Sequence, residues 1–158
     1  MTALGLNLAL GVIWCLVTGA FTPWNFLAGL GIGALIVSGM QVAEGKTPYI
    51  VRIAKLVLFG TYFVKILVQS NWVVARAAML PGHAMRPRII RYPVDQYTRG
   101  QQLALSSAIT LTPGTLTVDI SPDGKWLYLH CMFAENRSRA VADIDDLADK
   151  MRKWVFAC

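Results

Sequence analysis

The sequence predicts a membrane protein with a two-helix transmembrane hairpin, an amphipathic interfacial helix and a small α+β domain on the cytoplasmic side. Three observations lead to this fold class. The first 43 of the 158 residues include no Asp, Glu, Lys, Arg or His. Residues 44–99 hold nine Lys and Arg residues and two acidic residues, so they account for the net charge of +6. From residue 100 onward, charges of both signs mix with apolar residues at strand and helix spacing. We assign residues 1–43 to the hairpin, 44–80 to the amphipathic helix and 81–158 to the α+β domain.

Two apolar stretches, residues 4–21 and 24–42, are candidates to cross the membrane, because a spanning helix needs about 20 mostly apolar residues. Pro23 lies between them and disfavours helix at the residue before it, so the chain should turn there. A signal peptide is the weaker interpretation, since no basic residue precedes the first stretch and a second one follows at once. Asn7 and Asn25 are expected to bond across helices or to lie near the membrane interface rather than to bind an ion.

Small residues crowd the second apolar stretch. Gly29, Gly31 and Gly33 lie close together, and the outer two form a G-x-x-x-G pair. Small side chains let another helix approach closely, so this face predicts contact with a partner helix. A dinucleotide-binding loop is excluded because no strand precedes the glycines.

The third apolar segment, residues 50–78, has an apolar face and a face with four basic residues. These residues, which we assign to the membrane surface, are Arg52, Lys55, Lys65 and Arg76. A lysine at the bilayer centre costs roughly 2.5–3.5 kcal/mol, whereas a helix in the interface lets long basic side chains reach the headgroups. Basic residues also stay on the cytoplasmic side, which favours two spans with both termini cytoplasmic. Because Leu58, Tyr62 and Ile66 interrupt the polar half, a helix that is partly covered by protein is the alternative.

The remaining residues predict a β-α-β-β-α order. The expected elements are a strand at 88–92, a helix at 99–110, a hairpin of strands 115–120 and 125–132 around a turn at 121–124, and a helix marked by apolar residues from 141 to 151. This order is most of a split β-α-β, or ferredoxin-like, arrangement. At about 70 residues the unit is marginal alone, so we expect it to lean on the membrane helices or a neighbouring protein.

No residue pattern indicates catalysis, a cofactor or a metal site. A strand points His130 and Cys131 to opposite faces, and His83 stands alone in a loop. Four aspartates lack the spacing of a calcium loop, and three hydroxyl residues lack a histidine placed to activate them. These sets are Asp143, Asp145, Asp146 and Asp149, and Ser106, Ser107 and Thr110. The predicted spans also lack the ionisable groups that mark an ion pathway, so the chain alone has no proton relay.

One long motif carries a family resemblance. The run LSSAITLTPGTLTVDI at residues 105–120, followed by WLYLH at 126–130, resembles a hallmark of the E subunit of multi-subunit, Mrp-type sodium/proton antiporters. The length, the hairpin start and residues 70–74 also fit, so the similarity covers nearly the whole chain. Ser107 is a departure, because Asn is commoner there in the family, but it leaves the assignment standing.

The resemblance implies an accessory, non-catalytic membrane subunit that is not an enzyme, in a complex whose large A and D subunits hold the ion-translocating groups. Its implied partners are other membrane subunits and the phospholipid membrane, without nucleic acid or cofactor, at the cell membrane. In that setting Gly29, Gly31 and Gly33 would contact a neighbouring subunit's helix. Thr112, Pro113, Gly114 and Thr115 would fix a turn in the cytoplasmic domain.

Two other functions stay open at this point. The first is a membrane-anchored lipid- or nucleic-acid-binding module that uses the basic residues from Arg86 to Arg99, which predicts salt-sensitive binding. The second is a small transporter that works alone, which predicts ion transport by the purified chain. An accessory role predicts neither result.

Overall fold

The computed structural model describes residues 2–79 and 85–156. The chain divides into two compact units, one extending to Val57 and the other beginning at Leu58. The elements are α1 (Ala3–Thr18), α2 (Pro23–Ala43), α3 (Tyr49–Met79), β1 (Arg88–Pro93), α4 (Arg99–Leu111), β2 (Thr115–Ile120), β3 (Trp126–Cys131), α5 (Arg137–Met151) and a π-helical turn (Arg152–Phe156).

The first two helices have well-defined ends. α1 stops at Thr18 because Gly19 adopts the left-handed conformation, with φ 66°, so the stretch predicted at 4–21 extends past the helix. Its 16 residues span about 24 Å. Thr22 caps α2 and Pro23 occupies its first turn. Among the described residues, α2 alone is both long and apolar enough to cross a bilayer; α1 is apolar but shorter.

In the first unit, α1 and α2 pack against each other and run antiparallel. Ala34, Val37 and Tyr49 form a small buried cluster. The Ser38 hydroxyl accepts a hydrogen bond from the Ile50 N–H (3.0 Å), which satisfies a donor in the first turn of α3 that has no helical partner. The start of α3 is thereby fixed to α2.

The second unit contains a three-stranded antiparallel sheet of order β1-β3-β2. β3 pairs with both neighbours, and β2 has a bulge between Thr117 and Asp119. β1 and β2 are therefore parallel with β3 between them, which is the split β-α-β arrangement. The predicted β-α-β-β-α order is confirmed. Only α5 starts well away from expectation, because Asn136 caps it by accepting from the N–H groups of Ser138 (2.9 Å) and Arg139 (3.3 Å).

A single hydrophobic core joins one face of this sheet to α4 and α5. Its largest fully buried side chains are Ile90, Val94, Leu105, Ile109, Leu127 and Leu129. Burying a side chain of this size stabilises a fold by about 1.5–3 kcal/mol. Apart from Val94, which directly follows β1, these residues are the inward members of the strand and helix patterns in the sequence.

The part of α3 that belongs to the second unit packs against this core. Phe59, Tyr62, Phe63 and Ile66 are partly buried there. The part of α3 from Phe59 to Ile66 is therefore partly covered by protein, which was the alternative to a helix lying in the membrane interface. The side chains on the other side of the helix, including Val64 and Val68, remain exposed.

Candidate interaction surfaces

Two of the three predicted packing glycines face α1 of the same chain. A Cβ added at Gly29 would lie 2.8 Å from the Cβ of Trp14 and 3.0 Å from the Gly11 carbonyl oxygen. A Cβ at Gly33 would clash with Oδ1 of Asn7. The two helices can approach this closely only because both positions lack a side chain. The intrachain contact thus occupies Gly29 and Gly33, where a neighbouring subunit's helix was expected.

Gly31 lies on a different face of α2. A Cβ added there would meet nothing within 4 Å, and the same is true at Gly39. Leu35, between them on this face, is 65% exposed. Of the three glycines, Gly31 is therefore the one left for a partner helix.

The turn between α1 and α2 is held by Asn25. Its Nδ2 donates to the Thr18 hydroxyl and to the Ala20 carbonyl, both at 2.6 Å, and its Oδ1 accepts from Nε1 of Trp14 at 3.0 Å. This confirms the predicted bonding across the helices for Asn25. Asn7 is 5% exposed, and its Oδ1 has no hydrogen-bond partner within the described part of the chain.

The four basic residues assigned to the membrane surface differ in exposure. Arg52 and Lys55, in the first unit, are half-buried, whereas Lys65 and Arg76, in the second, are exposed. Across residues 2–79 and 85–156, ion pairs form at Lys46, Arg86, Lys150 and Arg152. Lys65 and Arg76 are thus free to meet an external anionic group.

A polar contact fastens α3 to α5. The Tyr62 hydroxyl donates to Asp146 at 2.5 Å, and Lys150 reaches the same carboxylate at 2.5 Å while lying 5.0 Å from the Tyr62 ring. The bond from Lys150, followed by that from Tyr62, lowers the pKa of Asp146. Burial, followed by the bond to Asp146, raises the pKa of Tyr62. Asp146 therefore stays charged and Tyr62 stays protonated near neutral pH.

The predicted turn at residues 112–115 is a hydrogen-bonded connection between α4 and β2. The Thr115 hydroxyl donates to the carbonyls of Ile109 (2.7 Å) and Thr112 (2.9 Å). Gly114 has φ +92°, and a Cβ there would lie 3.3 Å from the Phe133 ring. The Gly114 carbonyl accepts from the Met132 N–H at 2.8 Å, which ties the turn to the end of β3. The Thr115 hydroxyl thus stabilises the turn between α4 and β2.

Several of the residues considered for chemistry have structural partners. The Ser106 hydroxyl donates to Leu103, Thr110 accepts from the Thr117 N–H, and Asp145 accepts from Tyr92. Cys131 is buried and His130 is half-buried on the opposite face of β3. His83 lies outside the described residues. Over those residues, no group of three His, Cys, Asp or Glu could hold a metal ion.

One buried polar residue was not singled out from the sequence. Gln102 is 7% exposed, and its Nε2 lies within bonding distance of the carbonyls of Val94 (2.9 Å), Tyr97 (3.2 Å) and Gly124 (2.8 Å). The amide joins α4 to the loop that precedes it and to the loop between β2 and β3, which are distant from each other in sequence. Its position on the apolar side of α4, in line with Leu105 and Ile109, was the available signal.

Comparison with known proteins identifies the family to which the chain belongs. Residues 7–156 match the family described as a Na⁺/H⁺ ion antiporter subunit. The E subunit of the Na⁺/H⁺ antiporter of Alkalihalophilus pseudofirmus is 30% identical, and the alignment covers 92% of each chain. The E1 subunit of the Staphylococcus epidermidis antiporter is also 30% identical, over 95% of this chain and 94% of the relative. The chain belongs to the family of E subunits of multi-subunit, Mrp-type Na⁺/H⁺ antiporters.

Solved structures agree with this membership. A chain in the Mrp complex of Dietzia sp. DQ12-45-1b matches with a TM-score of 0.50 and 30% identity, over 63% of this chain and 94% of that one. A chain of the membrane-bound sulfane sulfur reductase, an archaeal respiratory membrane complex, matches with a TM-score of 0.50 at 22% identity, over 85% of this chain and 84% of that one. The second likeness concerns the fold alone. The resemblance of residues 105–130 to the antiporter E subunits is therefore confirmed.

Proposed function

We propose that this chain is an accessory, non-catalytic membrane subunit that supports the assembly and activity of a Na⁺/H⁺ antiporter complex. The observation that carries the proposal is the absence of Asp, Glu, Lys, Arg and His from the first 43 residues. Proton and cation pathways through a membrane use such groups. The chain therefore acts through contact with subunits that have them.

In this proposal α1 and α2 form a transmembrane hairpin. The Asn25 hydrogen bonds support it, because they satisfy polar groups in a turn between two apolar helices. Both termini and the α+β domain lie on the cytoplasmic side, since the basic residues of positions 44–99 follow the hairpin directly. Lys65 and Arg76 approach lipid headgroups or acidic groups of a partner at that surface.

The face of α2 that includes Gly31 is the proposed contact with another subunit's transmembrane helix. Among the described residues, nothing lies within 4 Å of a Cβ added at Gly31, whereas Gly29 and Gly33 hold the hairpin together. The turn at residues 112–115 has a supporting role, because it joins α4, β2 and the end of β3. The proposal thus assigns separate roles to glycines that lie only two positions apart.

Purification of the complex from its host tests this assignment. A tag is placed on another subunit, the complex is extracted in mild detergent, the co-purifying membrane subunits are quantified, and Na⁺-dependent proton movement is measured in everted vesicles. Deletion of the chain should lower both the recovery of the other subunits and exchange. Gly31→Leu should lower recovery of partner subunits, while Ile32→Leu, a change of shape at the next position, should not. Full recovery and full exchange without the chain would contradict the accessory role.

A further inference from the structure

A narrow uncharged seam runs along the exposed side of α3. Within the second unit it consists of Thr61, Val64, Val68, Asn71, Ala75 and Ala78, all of them exposed. The spacing alternates between three and four residues, as at the a and d positions of a heptad repeat. In the sequence the same spacing continues backward through Val57, Ala54 and Ile50. Val64 and Val68 are 57% and 64% exposed.

Among the described residues, all six seam positions stay exposed, although Val68, Asn71 and Ala75 also border an open cavity beside the α+β domain. Phe59, Tyr62, Phe63 and Ile66, which pack against the domain core, occupy the other side of the helix. From Thr61 to Ala78 the seam extends about 25 Å. An exposed apolar strip of this length on an otherwise packed domain marks an interaction surface.

The composition of the seam fits a helix better than it fits lipid chains. Thr61, Ala75 and Ala78 are small and allow a backbone to approach, and a Cβ at neighbouring Gly60 would meet nothing within 4 Å. Larger side chains, among them Leu58 and Trp72, border the strip. Lipid chains require neither a repeating spacing nor small residues.

Asn71 adds a polar group to the seam. Its Nδ2 donates to the Leu67 carbonyl at 2.7 Å, and no hydrogen bond to its Oδ1 is found among the described residues. A lipid chain offers no donor to this oxygen, whereas a helix can present a hydroxyl or amide. In heptad seams a single asparagine of this kind fixes the register of the partner.

Charge beside the seam defines the partner further. Lys65 directly follows Val64, is exposed, and has no ion-pair partner in the described part of the chain. The seam positions themselves carry no charge over 18 residues. The matching helix is therefore uncharged along its contact line and carries an acidic residue on its flank, opposite Lys65.

We propose that this seam docks one α-helix from another subunit of the antiporter complex, with Asn71 setting the register. The inference rests on the proposed function, because it names the surface through which an accessory subunit makes contact. The partner helix is uncharged and small-residue-rich where it meets Val64 and Val68. It presents a hydrogen-bond donor at the level of Asn71.

Site-specific photo-cross-linking in the intact complex tests the seam. A photoreactive residue is placed singly at Val64, Val68 and Gln69, in native membranes, and adducts are identified by mass. Adducts with another subunit are expected from Val64 and Val68, at yields at least about tenfold above Gln69, which lies about 100° around the helix from Val68. Adducts only with phospholipid, adducts only with a second copy of this chain, or equal yields at all three positions would each overturn the proposal.

A charge scan gives an independent readout. Val68→Lys should lower the recovery of other subunits by about tenfold, because it buries a charge in the contact, whereas Gln69→Lys should change it by less than about twofold. The amount of chain in the membrane reports folding for both variants. If Val68→Lys recovers the other subunits at the wild-type level, the seam is not the docking surface, but the proposed accessory function still stands. A wild-type chain that recovers no other subunit would refute the proposed function as well.

Discussion

Gly29 provides the sharpest test of the hairpin. A Cβ there would lie 2.8 Å from the Cβ of Trp14 and 3.0 Å from a backbone oxygen, and neither atom can move without moving α1. Restoring an ordinary contact of 3.4 Å requires the helices to separate by at least about 0.6 Å. Overpacking of this kind costs about 1–3 kcal/mol, and the better helix propensity of alanine returns roughly 0.5–1 kcal/mol. We expect Gly29→Ala to destabilise the hairpin by about 1–2 kcal/mol.

The matched control is Gly31→Ala, where the added methyl group meets nothing within 4 Å. It should be neutral or stabilise α2 by up to about 1 kcal/mol. Thermal unfolding of the purified chain in mild detergent, followed by tryptophan fluorescence, measures both variants. At about 2–4 °C per kcal/mol for a chain of this size, Gly29→Ala should lower Tm by roughly 2–8 °C. Equal Tm values for the two variants would refute the assignment of Gly29 to the α1–α2 contact.

Three further predictions concern the α+β unit. Tyr62→Phe should destabilise it by about 1 kcal/mol at neutral pH, measured by denaturant unfolding. Because the tyrosine pKa is raised in the folded state, the wild type should lose stability as pH rises above about 10, and the variant should lose less. Gln102→Glu, which places a carboxylate against three carbonyl oxygens, should cost at least about 3 kcal/mol in the same assay, and a cost below about 1 kcal/mol would contradict the amide contacts. Gly114→Ala should destabilise the unit more than Gly124→Ala, since both glycines have positive φ but only a Cβ at Gly114 would also lie 3.3 Å from the Phe133 ring. A denaturation midpoint for Gly114→Ala at or above that of Gly124→Ala would contradict this contact.

The α+β fold could be predicted closely because each element has a local signal. The alternation in β2 and β3 and the turn between them set the hairpin, and the apolar spacing set α4 and α5. The start of α5 is set instead by the Asn136 cap, which lies before the first apolar residue of the helical pattern. Periodicity therefore located the helix but not its first turn.

The glycine contacts were harder to predict because periodicity shows which residues share a face and not what covers it. Gly29 and Gly33 differ from Gly31 only by their position around α2, and both sets permit close packing. The same holds for α3, where Leu58, Tyr62 and Ile66 looked like interruptions of a polar half. Tyr62 and Ile66 contact the domain core, whereas Leu58 is exposed. Tertiary packing between distant segments decides such cases.

Ion exchange by the purified chain tests the central claim most directly. The chain alone and the intact complex are reconstituted into separate sets of proteoliposomes with a pH-sensitive dye, and a Na⁺ gradient is imposed. Sodium-dependent proton movement should occur with the complex and should stay at the level of protein-free liposomes with the chain alone, because its hairpin has no Asp, Glu, Lys, Arg or His. Exchange by the chain alone would contradict a role through contact.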